Sequence, residues 1–236
     1  MEELQSNNNN KRICIKGGTY STLSITDSHY TDGDLDVNVV FVDSKREVNS
    51  NIKCKDILVE KNAHINGSIE CNKGSFHGTT LVNGDISSFN IMAKGNFQCT
   101  GKLNSTHISL IGTAKVEKNI LSETLNIIGD VSIEDICVSR FKFVLNQEST
   151  ARNIKGDYIQ VIKGINSETK MFFEVEKIEG KVIYIENTLA QVIIGDEVIV
   201  GSGCLIEIVY CNKLVIKDDS SKISTKREKS EYTSFT

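Results

Sequence analysis

The chain of 236 residues is 39% hydrophobic, enough for a sizeable core, and its net charge of -4 with a pI near 5.7 gives no long-range attraction for nucleic acid. No apolar run has the length that crosses a bilayer, and the opening MEELQSNNNN lacks the charged-then-apolar layout of a secretory leader, so a cytoplasmic protein without direct membrane insertion is expected. Proline and tryptophan are both missing; proline cannot donate to a sheet ladder, so its absence suits a chain of consecutively hydrogen-bonded strands.

Residues 1–12, with four consecutive asparagines, read as a disordered polar tail. From Gly18 onward the chain repeats every 17 residues, in seven blocks that start at Gly18, Leu35, Ile52, Ile69, Ile86, Leu103 and Ile120. The first, sixth, eighth and fourteenth columns of these blocks hold 25 hydrophobic residues out of 28, where the chain average would give about 11. Apolar positions come in pairs separated by one residue: first and third, sixth and eighth, twelfth and fourteenth. Alternation by two is one face of a strand, so each block holds three short strands and the coil is three-sided.

The third column is small where inward side chains crowd, with Cys54, Cys71, Ser88, Ser105 and Ser122. The sixteenth, with Gly33, Ser50, Gly67, Gly84 and Gly101, marks a corner where a left-handed backbone is expected. Seven coils stacked at about 4.8 Å would make a rod roughly 33 Å long. The fold class expected is therefore all-β, a three-sided parallel β-helix, with residues 13–145 as its regular part. NQESTARN, residues 146–153, reads as a junction loop. Residues 154–220 form a second, less regular β-helical segment, with pairs at Ile183/Ile185, Ala190/Val192, Val198/Val200, Cys204/Ile206 and Leu214/Ile216. The polar residues 221–236 read as a second disordered tail.

The run from Ile178 to Tyr210 resembles the C-terminal part of bactofilin-like, polymer-forming cytoskeletal proteins. The matching positions are Ile178, Glu179, Gly180, Ile183, Glu186, Asn187, Thr188, Ala190, Val192, Gly195, Val198, Gly201, Gly203, Cys204, Ile206, Val209 and Tyr210, while Lys181 stands where that family usually has an acid. The resemblance implies a right-handed β-helix that assembles without nucleotide into a cytoplasmic or membrane-associated scaffold.

Signals for chemistry are sparse. His29, His64, His77 and His107 fall in four different columns and do not converge on a metal, and no CxxC is present. Cys54 and Cys71 share a column one coil apart, and with seven cysteines in an unexported chain, buried free thiols are expected rather than disulfides. Asp32, Asp34 and Asp36 in DGDLD resemble a calcium-binding turn but occur in one block alone, so a solvated corner is expected. No catalytic residue, metal or cofactor is expected.

The function expected is that of a structural scaffold, not an enzyme, self-assembling by stacking of its coil ends. Ile13, Ile15, Leu23 and Ile25 would make the contacts at one end and Leu214 and Ile216 at the other, because an end coil leaves unpaired N–H and C=O groups. The partner expected is a second copy of the chain, with other scaffold or cell-envelope proteins as further partners and any membrane association made through them. Two alternatives stay open: a β-helical enzyme, either an acyltransferase or one acting on polysaccharide, and a protein-binding module that does not polymerise.

Overall fold

The structure, a computed structural model, describes residues 12–165 and 171–232. The strands are β1 (Ile13–Thr26), β2 (His29–Asp43), β3 (Glu47–Val48), β4 (Ile52–Val59), β5 (Asn62–Ile65), β6 (Ile69–Val82), β7 (Ile86–Cys99), β8 (Leu103–Leu145), β9 (Ser149–Lys163), β10 (Phe173–Ile185), β11 (Thr188–Val200), β12 (Leu205–Ile216) and β13 (Lys222–Arg227), followed by one 3-10 turn, Lys229–Glu231. All belong to one 13-stranded parallel sheet wound into a solenoid of about 12 coils. At the strand spacing of a parallel sheet this is a rod roughly 55 Å long. No helix among the described residues is long and apolar enough to cross a membrane.

The columns read from the sequence are the ladders of the sheet. Leu35 faces Ile52, Ile52 faces Ile69, Ile69 faces Ile86 and Ile86 faces Leu103, each 17 residues on. In the coil that starts at Ile52 the six inward positions, Ile52, Cys54, Ile57, Val59, Ala63 and Ile65, are all buried, and the residues between them point outward. Like stacks on like, and each fully buried aliphatic side chain contributes about 1.5–3 kcal/mol. Where a ladder breaks, a neighbour compensates. Gly74 leaves the sixth column empty so that the Phe76 ring can fill it, and Phe76 in turn packs against Phe97 with centroids 5.5 Å apart.

The corners differ in part from expectation. Left-handed backbone was expected in the sixteenth column, yet Gly33 alone has positive φ there. Gly67, Gly84 and Gly101 are glycines for another reason, because a β-carbon on each would strike the carbonyl of the coil before. The left-handed corner is the tenth column, Gly78, Gly95, Gly112 and Gly129. A third device sits in the seventeenth column, where each side chain accepts from the backbone N–H of the next coil. Asn51 donates to Asp34, Ser68 to Asn51, Asp85 to Ser68 and Lys102 to Asp85, at 2.8–3.2 Å. Asn49, Asn66 and Asn83 add an outer amide ladder at 2.9 and 2.7 Å.

The second segment continues the first without a break, although its coils vary in length. Ile136 faces Ile154 at 18 residues, Ile154 faces Ile178 at 24, Ile178 faces Ile193 at 15 and Ile193 faces Val209 at 16. The expected loop 146–153 shrinks to 146–148. β9 begins at Ser149, whose buried hydroxyl accepts from Val131 N–H at 3.0 Å, and Ala151 fills an inward column. The pair Ala190/Val192 is also corrected: Thr188 and Ala190 point inward, Val192 does not, and the next inward residue is Ile193.

Both tails need revision. Residues 1–11 lie outside the described residues, but Arg12 is placed, its guanidinium donating to the His29 carbonyl and lying over the Tyr30 ring. Residues 222–227, expected as tail, are strand β13, because Ile223 lies 17 residues beyond Ile206 and continues its ladder. Residues 233–236 lie outside the described residues.

Candidate functional site

The residues expected to make contacts between copies lie at the two ends of the rod. β1 is hydrogen-bonded along one edge, to β2, and its other edge is unpaired among the described residues. Along that edge Ile13 is 59% exposed and Leu23 half-buried, while Ile15 and Ile25 are buried against the second coil. Tyr20, half-buried, closes part of the interior and donates its hydroxyl to the Lys16 carbonyl at 2.6 Å. The strand carries one charge, Lys16, over its 14 residues, far less protection than an edge strand usually has.

At the opposite end Leu214 is half-buried and Ile216 is 51% exposed. β13 pairs with β12 from Leu205 to Tyr210, and among the described residues no strand pairs with the outer edge of Cys211 to Ile216. β13 is held by Ile223 in its ladder, by Lys222 N–H donating to the Cys204 carbonyl at 2.8 Å, and by the hydroxyls of Ser220 and Ser221, which accept from Gly203 and Cys204. Beyond it the chain turns back along the rod. The Tyr232 ring meets Tyr210 at 5.2 Å and Lys177 lies over Tyr232, while Lys229 reaches Asp196 at 2.6 Å. Lys222, Lys226 and Arg227 make this edge cationic and exposed.

The ladders link the two ends. Leu23 and Ile25 begin the sixth and eighth columns, and Leu214 and Ile216 end the same two, through Phe141–Ile159–Ile183–Val198–Leu214 and Phe143–Val161–Ile185–Val200–Ile216. Ile223 ends a different column, the fourteenth, in the ladder of Ile206; the 17-residue step from Ile206 is the sequence signal for it.

The other candidates resolve into structural roles. Cys54 and Cys71 are buried in-register neighbours. The neighbouring thiol, with burial adding to it, pushes the Cys54 thiol up, and Cys54 in turn holds Cys71 below the ordinary thiol value. Burial pushes Cys99 up to about 11. The seven cysteines are free, five of them buried, with Cys14 half-buried and Cys137 exposed. His29 accepts from Thr26 N–H in the turn between β1 and β2, His64 meets Asn83, His77 meets Ser75, and His107 packs edge-on against Phe89. Asp34 of the DGDLD stretch accepts from Asn51 at the corner. Among the described residues no three His, Cys, Asp or Glu side chains stand together as a metal centre needs.

The ENT residues that carry the family resemblance form a corner. Glu186 accepts from Lys163 N–H at 3.0 Å, and Asn187, at φ 45°, donates to the Met171 carbonyl at 3.1 Å, so the two hold both ends of the excursion between β9 and β10. Tyr184 donates to the same carboxylate, and this raises the tyrosine pKa to about 12.

Fold and ends together define a class: a β-solenoid whose inward ladders run the length of the rod and emerge at both ends. No family model matches the chain, and neither a curated protein nor a solved structure matches it. The likeness to bactofilin-like proteins therefore rests on the residues quoted above.

Proposed function

We propose that this protein is a structural scaffold of the cytoplasm, with no catalytic role, that associates with copies of itself through the ends of its solenoid. One observation carries the reading: Leu23 and Ile25 at one end lie in the same two columns as Leu214 and Ile216 at the other, so a second copy laid end to end continues the ladders. The open edges supply the drive. An unpaired strand edge over a partly exposed core is stabilised by another strand, and a parallel ladder needs no change of side-chain pattern to accept one. Nucleotide has no part in this assembly, which is the behaviour of the family that Ile178–Tyr210 resembles. Other scaffold or envelope proteins, and a membrane reached through them, are further partners in this reading.

The test is concentration-dependent light scattering of the untagged chain, with electron microscopy of the same samples. The mass is expected to rise with concentration and linear particles to appear. Leu23→Lys and Ile216→Lys should each abolish the rise and leave the β-sheet circular dichroism unchanged. A chain that stays monomeric at every concentration would sink the reading.

A further inference from the structure

Each side of the triangular coil can be assigned at both ends. Ile13–Lys16 lies on the third side, since Cys14 faces Tyr30 and Ile15 faces Thr31, and Gly18–Ile25 then runs along the first and second. At the far end Leu205–Ile208 lies on the third side, Val209–Ile216 follows along the first and second, and β13 returns to the third, with Ile223 facing Ile206.

Consider a second copy laid head to tail so that its Leu23 and Ile25 continue the columns ending in Leu214 and Ile216. Its own Ile13–Lys16 then falls on the outer edge of Leu205–Ile208, and its Ile15 enters the ladder of Ile206. β13 already fills that place. Moving the copy one coil outward clears β13 but leaves Cys211–Ile216 unpaired, so an unbroken junction requires β13 to leave.

We propose that the edge Leu205–Tyr210 is a strand-exchange site, occupied either by β13 of its own chain or by Ile13–Lys16 of a following copy, and that the rod grows head to tail as the second replaces the first. This rests on the end-stacking reading above and adds its polarity and its brake. β13 suits a replaceable strand: five of its six residues are exposed and Ile223 alone is half-buried, whereas ICIK brings two isoleucines. The short tether from Lys217 to Ser221 gives β13 an effective concentration on the order of mM, so it holds its place against a dilute partner.

The experiment compares the full wild-type chain with Ile223→Asp and Lys222→Pro, the second of which removes the N–H that bonds Cys204. Both changes act on β13 alone. Mean mass by light scattering at one concentration is expected to rise at least about threefold in both, as a head-to-tail contact that does not close on itself propagates. Adding Ile15→Asp to either variant should return the mass to the wild-type value. Equal mass in the wild type and both variants, all associating, overturns the exchange and leaves end-stacking standing; absence of association in all of them overturns both. Larger particles that persist with Ile15→Asp overturn the assignment of Ile13–Lys16 as the incoming strand.

Discussion

At the scale of single residues the most demanding positions are glycines, and they are demanding for two distinct reasons. Gly112 has φ 111°, and a β-carbon there would strike the carbonyl oxygen of Gly95 one coil away. Gly18 has a positive φ as well, 143°, but opens on empty space at the end of the rod. Gly112→Ala is therefore expected to cost about 2–4 kcal/mol, from backbone strain plus a displaced coil, and Gly18→Ala about 1 kcal/mol from strain alone. Urea unfolding of the two variants checks the order; equal costs would mean that the neighbouring carbonyl moves aside freely.

At the scale of elements, the excursion between β9 and β10 is the largest departure from the 17-residue coil, and the corner Glu186–Asn187–Thr188 contains it. Asn187 combines a left-handed backbone with a side-chain bond to Met171, and Thr188, fully buried, donates to the Glu186 carbonyl at 2.9 Å. Asn187→Gly keeps the backbone and loses the bond, whereas Asn187→Ala loses both. The glycine variant is expected to lose about 1 kcal/mol and the alanine variant about 2. Thermal unfolding distinguishes them, and an alanine variant no worse than glycine would remove the backbone from the explanation.

At the scale of the whole molecule, a solenoid is held by contacts between nearest coils, so stability falls toward an uncovered end. Among the described residues β1 has one neighbouring strand and β7 has two, β6 and β8. Amides of β1 are expected to exchange with solvent at least about tenfold faster than those of β7 in dilute protein, and to slow as concentration rises if the ends stack. Exchange in β1 that is as slow as in β7 and indifferent to concentration would show a closed end.

Much of this was legible in the chain because stacking imposes like on like: Ile52, Ile69 and Ile86 meet one another, so the period appears in the letters. The residues at the two ends of the rod were legible for the same reason, as the first and last members of columns. Two features were not. The tenth-column corner is not legible because a glycine there and a glycine in the sixteenth column read alike, and backbone angle separates them. β13 is not legible because one isoleucine among charges carries too little apolar signal to mark a strand, and the ladder of Ile206 is what holds it.

The sequence alone determined the coil, its three inward faces and the residues that fill them, since those follow from local alternation and a fixed period. The tertiary structure decided what happens where the period fails: that coils of 15 to 24 residues still stack in one sheet, and that Lys222–Arg227 closes the third side of the last coil. Both depend on pairing between residues far apart in the chain, which propensity does not encode and only the assembled ladder specifies.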